Sequence, residues 1–441
     1  MSNLNFLSKL TYLVLTIPDP PCNMIKELNT MFFNFIWKGH DRVARNQMLQ
    51  DYGLGGLRMV DVRAYIDALK ITWLRRLYKA NQSSDWSTLC NHIFGITRLL
   101  LLEGGSAKCV GTQRIYNNFW LDVFKSWSNF TRVHLPTTTV EVLKSTLWFN
   151  DKIKVGGKCI YYKHWDSKGV KFICDLIDEN GDFLPLEDFK NTFSVHTNFL
   201  EYSGVLRAIK SSFKDILIEH SHLNFPFSPF NLEVLLKDKK GSQRIYHVLV
   251  LSKQVKRKFI DKWNVKLNTN LDSSKWSLIF NIPYSCTVDT KLRWFQFRLI
   301  HRILGTNSFL FKINKTDTNL CTFCKKEEET IFHLFCSCTH TISFWSSVFS
   351  WIKEQTNFSL AMDNEVFLFG NTKTSIVVNL ILLICRFHVY TMKMIGKRPP
   401  LLVLKREVKK YHSMEKFMFF TNGVNFKFYQ KWDSFLILGQ G

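Results

Sequence analysis

CTFCKKEEETIFHLFCSCTHTISFW, residues 321–345, decides how this part of the chain folds, because it gathers thiols and imidazoles at spacings that suit a zinc ion. A Cys-x2-Cys turn presents two thiolates from one tight loop. A histidine follows after eight residues and a further cysteine after four more. The predicted metal ligands are Cys321, Cys324, His333 and Cys338. Two nearby residues remain as alternative ligands, Cys336 and His340.

The cysteines of this window are concentrated, since four of the chain's 11 fall between Cys321 and Cys338. The alternative interpretation is a group of buried free cysteines beside a core histidine; the combined spacing favours zinc. Four available ligands indicate a closed structural site, because a catalytic zinc keeps one position open. The N-terminus shows no secretory signal, so we expect a reducing intracellular compartment, nuclear or cytoplasmic.

The segment 291–345 resembles the C-terminal zinc-binding segment of LINE-type (non-LTR) retrotransposon reverse transcriptases. The matching elements are His301–Thr306, Cys321 with Cys324, Glu329–Thr330, His333–Phe335, Cys338, and Phe344 with Trp345. That family commonly has a tryptophan where Cys336 stands. The resemblance therefore implies Cys338 as the fourth ligand and leaves Cys336 as a competitor.

Segments upstream are similar to the same family. Residues 10–18 (LTYLVLTIP), 31–39 (MFFNFIWKG) and 53–77 (beginning GLGGL) resemble the part that follows the polymerase core, and 147–193 resembles the connecting region. The similarity runs with gaps from near residue 1 to about residue 410. It is most specific at FIWKG, at GLGGL and at the zinc window.

The catalytic residues of a polymerase are missing from the sequence. Polymerases need paired carboxylates for two metal ions, and the chain contains no Asp-Asp dipeptide. Hydrolase, phosphate-loop and metalloprotease motifs are absent as well. We expect a non-enzymatic, truncated element product without polymerase and endonuclease sites. The resemblance implies binding of element RNA and target DNA, in trans to a full-length reverse transcriptase if the chain acts separately. A zinc-stabilised protein interaction scaffold and a non-functional relic remain as alternatives.

The charge balance agrees with a polyanionic partner. The chain has 59 Lys and Arg against 36 Asp and Glu, a net charge of +23. Such a surplus favours a phosphate backbone, although general solubility or an acidic membrane surface would also account for it. The most apolar run, 376–385, has ten residues, about half of what a bilayer requires, so we expect no membrane partner.

The hydrophobic pattern predicts a mainly α fold with a few short β hairpins. Residues 24–37 predict a helix with an apolar face formed by Met24, Leu28, Met31, Phe32, Phe35 and Ile36. Residues 61–79 predict a second helix, and residues 155–162 a small hairpin around Gly156-Gly157. The predicted division of the chain is a thumb-like helical region at 1–130, a connecting region at 131–225, a zinc-binding domain at 226–370 and a basic helical tail at 371–441.

Basic side chains cluster at several places along the chain. The last 71 residues carry twelve Lys and Arg against three Asp and Glu, and predict two basic helices on either side of Pro399-Pro400. On the predicted helix 291–303, Trp294, Phe295 and Phe297 either stack on bases or form core, and core is the more common outcome. The predicted nucleic-acid contacts are Arg75, Arg76, Lys79, Lys256, Arg257, Lys258, Lys291, Arg298, Arg302, Lys397, Arg398, Lys405, Arg406, Lys409 and Lys410.

Overall fold

A computed structural model describes residues 11–79, 88, 92, 118–133, 142–178, 180–214, 241–253, 255–356, 358–433 and 435. The chain forms two compact units: unit 1 contains residues 1–35 and 60–253, and unit 2 contains residues 36–59 and 254–441. The prediction of a mainly α fold is confirmed, since nearly all regular structure in the described residues is helical.

Unit 1 is built from helices and one short hairpin. In chain order its elements are α1 (Cys22–Trp37, whose last two residues belong to unit 2), α3 (Val62–Lys79), α4 (Asn118–Val133), β1 (Lys154–Val155), β2 (Lys158–Cys159), α5 (Lys163–Asp166), α6 (Leu186–Phe193), α7 (Phe199–Ser212) and α8 (Gly241–Leu251). One apolar cluster joins residues 142–213, and a smaller one joins the start of the chain to α3. The hairpin prediction is confirmed: β1 and β2 pair antiparallel, and both turn glycines have positive φ.

The predicted apolar face of α1 is correct in part, because Leu28 and Phe32 pack against the small apolar cluster of unit 1. The buried residues are Ile25 and Phe33, whereas Met24, Met31 and Phe35 are exposed. Because many positions of this helix are apolar, the 3.6-residue period alone does not fix which side faces the core.

Helix α3 carries a buried polar network rather than a purely apolar stripe. Arg63 bridges Asp19 at 2.7 Å and Asp67, while Lys70 is fully buried and donates to the Ile17 carbonyl at 2.6 Å. Burial lowers the pKa of Lys70, and Asp19 counteracts that effect. These two cations therefore connect Ile17 and Asp19 to α3.

Unit 2 surrounds one large apolar core that spans residues 263–435. Its elements are α2 (Arg45–Leu49), a 3-10 turn (Tyr52–Leu54), α9 (Lys258–Leu267), α10 (Ser273–Cys286), α11 (Thr290–Ile300), α12 (Asn307–Lys312), a π-helical turn (His333–Ser337), α13 (Thr339–Thr356), α14 (Asn364–Phe369), α15 (Ile376–Met394), α16 (Leu401–Thr421) and α17 (Asn425–Trp432). The predicted break at Pro399-Pro400 is confirmed by the gap between α15 and α16.

Residues 36–59 pack on α10 and α11 within unit 2. Gly55 has φ +74° and its carbonyl lies 2.9 Å from His301 Nε2, and the ring of Tyr52 stacks on Tyr284 with centroids 3.8 Å apart. A Cβ at Gly56 would lie 2.0 Å from the Gln50 carbonyl oxygen, so only glycine fits. The GLGGL segment is thereby joined to the helix that precedes the zinc window.

Helix α15 is the one candidate membrane span within the described part of the chain. The ten-residue apolar run noted in the sequence belongs to a 19-residue helix, long and apolar enough to cross a bilayer by length and composition. Its most apolar window is 78% buried inside unit 2, and it carries the fully buried Arg386. Arg386 donates to Gln296 Oε1 at 2.9 Å. This packing indicates a core helix.

The four-part domain division stays a prediction. Residues 376–435 share the apolar core of unit 2 with the zinc window, and residues 36–59 belong to the same unit. The observed division therefore places the basic tail and the GLGGL segment with the zinc window.

Candidate metal centre

The structure brings the four predicted ligands together. Their ligand atoms, from Cys321, Cys324, His333 and Cys338, all lie within 4.8 Å of one another. The Cys321 and Cys338 sulfurs are 3.8 Å apart, and Cys324 Sγ is 3.4 Å from His333 Nε2. Zn–S bonds of about 2.3 Å and Zn–N bonds of about 2.0 Å in a tetrahedron give edges of about 3.8 and 3.5 Å. The cluster fits a zinc ion.

Backbone hydrogen bonds shape the Cys-x2-Cys loop. The Cys321 amide donates to the Glu327 carbonyl at 2.7 Å, and the Lys325 amide donates to the Cys321 carbonyl at 3.0 Å. Lys325 has φ +59°, which closes the turn. The Phe323 amide points at Cys321 Sγ at 3.4 Å, so the loop supplies an N–H group that stabilises a thiolate there.

A π-helical turn brings the other two ligands to one side. In an α-helix, two residues five positions apart diverge by about 140°. Here residues 333–337 adopt the wider turn, and the Cys338 amide donates to the His333 carbonyl at 2.9 Å, an i to i+5 hydrogen bond. This turn allows a His-x4-Cys spacing to serve one metal ion.

His333 is oriented by two acceptors behind the site. Its Nδ1 lies 3.1 Å from the Glu327 carboxylate and 3.2 Å from Ser337 Oγ. A proton on Nδ1 leaves Nε2 as the lone-pair nitrogen, which faces Cys324. Acceptors of this kind fix the tautomer and raise the basicity of a zinc-binding histidine.

The two close thiols differ in acidity. A hydrogen bond from Cys321 lowers the pKa of Cys338 to about 4, while the same bond and burial raise the pKa of Cys321. Zinc binding would remove the thiol protons of both residues, because the cysteine ligands of a zinc ion are thiolates.

The alternative ligands lie outside the cluster. Cys336 Sγ is 3.9 Å from the Asn364 carbonyl oxygen, and burial raises the pKa of its thiol well above the usual range. Cys336 is part of the apolar core beside Phe335 and Trp345. His340 is not among the four clustered side chains either. In the family that the sequence resembles, a tryptophan commonly takes the position of Cys336, and this buried placement accounts for an apolar residue there.

A buried ion pair between Glu329 and Lys393 connects the zinc loop to α15. The fully buried Glu329 carboxylate accepts from the Asn307 amide at 2.8 Å and the Thr322 amide at 2.7 Å. Lys393 of α15 lies 3.4 Å from it and also donates to the Gly305 carbonyl at 2.9 Å. The roles of Glu327, Glu329 and Lys393 are not apparent from the sequence. Three consecutive glutamates occupy 327–329, and spacing alone does not distinguish them.

Several of the predicted nucleic-acid contacts also make contacts within the protein. Arg302 donates to the Lys262 carbonyl at 3.1 Å and lies over the Trp263 ring at 4.7 Å. Arg76 lies over Trp73 at 4.3 Å, and Lys405 over Trp351 at 5.4 Å. Half-buried positions are held by Arg75, Arg257 and Arg298, and the side chain of Lys79 is outside the described residues.

The remaining predicted contacts are exposed: Lys256, Lys258, Lys291, Lys397, Arg398, Arg406, Lys409 and Lys410. The helix predicted at 291–303 is shorter than expected, because α11 ends at Ile300. Phe295 and Phe297 are buried, and Trp294 stacks on Phe297 with centroids 5.4 Å apart. The core interpretation of these aromatics is confirmed for Phe295 and Phe297.

No curated protein matches the chain. Residues 259–345 match a family described as zinc-binding in reverse transcriptase, and this match contains all four clustered ligands. It covers less than half of the 441 residues. Unit 2 thus contains a reverse-transcriptase zinc-binding domain.

Proposed function

We propose that this chain is a nucleic-acid-binding protein derived from a LINE-type non-LTR retrotransposon reverse transcriptase. The observation that carries the proposal is the zinc-binding domain at residues 259–345 with its Cys3His cluster. The packing of residues 36–59 on α10 and α11 supports the LINE-type assignment, because the GLGGL segment lies in one unit with the zinc window and both resemble that family.

The zinc ion in this proposal has a structural role. Four ligand atoms are available within 4.8 Å of one another, and three of the four residues are buried. Binding free energy at such a site is folding free energy. The proposed activity is therefore binding, not catalysis, in keeping with the absence of an Asp-Asp pair from the sequence.

The proposed partners are element RNA and target DNA, bound directly or alongside a full-length reverse transcriptase. A net charge of +23 supports a polyanionic partner. The exposed cations Arg406, Lys409 and Lys410 lie within two turns of α16 and can follow a phosphate backbone.

The test measures binding of the zinc-loaded protein to labelled RNA and DNA between 50 and 300 mM salt, roughly the range over which phosphate contacts are resolved. Log affinity should fall linearly with log salt. Charge reversal of Arg406, Lys409 and Lys410 to Glu should reduce the slope by about 2–3, since each duplex phosphate contact contributes about 0.9.

A matched control reverses three exposed lysines beside the hairpin of unit 1, Lys152, Lys154 and Lys158. This control changes the net charge by the same amount and should leave most of the slope of log affinity against log salt unchanged. Equal losses in both variants would mean that net charge, not the α16 surface, drives binding. Absence of binding to either nucleic acid would refute the proposed function and favour the interaction scaffold.

A further inference from the structure

The C-terminal hairpin, formed by α16 and α17, carries aromatic side chains on its solvent face. Exposed fractions are 74% for Phe417, 64% for Phe426, 49% for Tyr429 and 39% for Phe420. A soluble surface rarely leaves several large rings exposed together without a partner.

The exposed rings form one continuous surface. Phe417 and Phe420 are one turn apart on α16, as are Phe426 and Tyr429 on α17. The two helices meet where the Phe420 and Tyr429 rings lie 6.1 Å apart. The opposite stripe of α16, formed by Leu404, Val408 and Glu415, is buried, so the hairpin has one face in the core and one face in solvent.

Cations are interleaved with the rings. On α16, Arg406, Lys409, Lys410 and Lys416 share the solvent side with Phe417 and Phe420. Lys416 Nζ lies 5.8 Å from the centroid of Phe420, and Lys427 Nζ lies 5.9 Å from that of Phe426. Phe420 and Phe426 are thus each close to a positive charge.

Acidic groups do not offset this charge. Residues 401–432 contain seven Lys and Arg against two Glu. Glu415 is buried, accepting from Lys431 at 2.7 Å and from Trp432 Nε1 at 2.8 Å. A second copy of the hairpin would oppose like charges across a symmetric contact, which disfavours self-association through this face.

We propose that the solvent face of α16 and α17 binds single-stranded nucleic acid, with unpaired bases stacked on Phe417, Phe420, Phe426 and Tyr429 and phosphates beside the interleaved cations. This inference rests on the proposed function and specifies its site and its substrate class. Every base has a π face that an aromatic ring can cover, and a duplex hides those faces. Ring stacking therefore selects single strands without selecting sequence.

The test uses the full zinc-loaded chain with a triple variant, Phe417→Ala, Phe426→Ala and Tyr429→Ala. The probes are a labelled uridine strand of about 20 nucleotides, a thymidine strand and a duplex of equal length, which are longer than the roughly 4–16 nucleotides that such sites typically cover. Single-strand affinity should fall at least ~10-fold and duplex affinity no more than ~2-fold. Circular dichroism and zinc content check that the variant folds.

The control variant removes three exposed apolar side chains on two other helices, Phe199, Leu200 and Phe311. It should bind both probes as the unmodified protein does. Equal losses of single-strand and duplex binding in the triple variant, or no loss at all, would overturn the inference while leaving the proposed function standing. If the unmodified protein binds no nucleic acid, both fail.

Two further readouts identify other occupants of this face. Flotation with phosphatidylcholine vesicles containing phosphatidylserine tests a membrane, and sedimentation tests a second copy of the chain. Loss of vesicle binding or of dimers in the triple variant, with single-strand affinity unchanged, would overturn the inference.

Discussion

The carboxylate of Glu329 lies 3.4 Å from the ammonium group of Lys393, and both side chains are buried. Glu329 also accepts from the Thr322 amide, next to the ligand Cys321, while Lys393 belongs to the core helix α15. The pair therefore connects the zinc loop to the core of unit 2.

Replacement of Lys393 with Met should leave the Glu329 carboxylate buried without its counter-charge. Removing one partner of a buried pair costs roughly 3–5 kcal/mol. We expect a loss of that size in the unfolding free energy, measured with urea on zinc-loaded protein. Lys397→Met, on an exposed lysine, is the control; a Lys393→Met variant as stable as this control would contradict the role of the pair.

Replacement of Glu327 with Ala should weaken zinc binding while leaving the four ligands in place. Glu327 orients His333 through Nδ1, and loss of such a partner typically lowers metal affinity about 10- to 100-fold. Competition with a chromogenic chelator measures the change. Glu354→Ala on α13, an exposed site, should bind zinc as before. Equal affinities in the two variants would show that Ser337 alone orients the ring.

Acid should destabilise unit 2 through His301. Burial lowers the pKa of this imidazole from 6.5 to about 4, so the unfolded chain binds more protons between those values. The contribution of the neutral His301 imidazole to the free energy of unfolding is fully present above pH 6.5 and is lost as the pH falls toward 4. The loss is at most roughly 3 kcal/mol.

The His301→Gln variant isolates this effect, because it keeps a donor for the Gly55 carbonyl and does not titrate. Protonation of the zinc ligands affects both proteins and cancels in the comparison. The difference in unfolding free energy between the unmodified protein and His301→Gln should be smaller in acid than at neutral pH, because the unmodified protein loses more stability as the pH falls. Parallel pH profiles would place the acid sensitivity elsewhere.

Replacement of Gly56 with Ala should disrupt the packing of residues 36–59. The new Cβ would lie 2.0 Å from a backbone oxygen that cannot move cheaply, and overpacking of this kind costs about 1–3 kcal/mol or more. Gly204→Ala in α7, where the Cβ meets Val155 at an ordinary 3.4 Å, should be neutral or slightly stabilising. Thermal unfolding compares them, and similar melting temperatures would refute the steric argument.

The zinc window could be predicted because Cys321, Cys324 and His333 stand out by residue type and spacing. The choice of Cys338 over Cys336 depended on the family resemblance. Its structural basis, a π-helical turn, has no signal in the local sequence, since an α-helix of the same residues would separate His333 and Cys338. Likewise, the apolar face of α1 was predicted only in part, because apolar residues occupy most sides of this helix.

Long-range packing accounts for what the sequence did not reveal. Nothing near residue 55 indicates that its carbonyl meets His301, 246 positions away. Helix α15 belongs to the tail whose charge count is basic, yet its two cations, Arg386 and Lys393, are buried on partners from α11 and the zinc loop. Charge counts locate cations along the chain, whereas tertiary contacts decide which of them remain free to bind a ligand.

The central claim is that Cys321, Cys324, His333 and Cys338 hold one zinc ion that folds unit 2. The most direct test is metal analysis of the purified protein beside Cys338→Ala and Cys336→Ala. We expect one zinc per chain in the unmodified protein and in Cys336→Ala, and loss of zinc with loss of helical signal in Cys338→Ala. Zinc retained in Cys338→Ala but lost in Cys336→Ala would contradict the account.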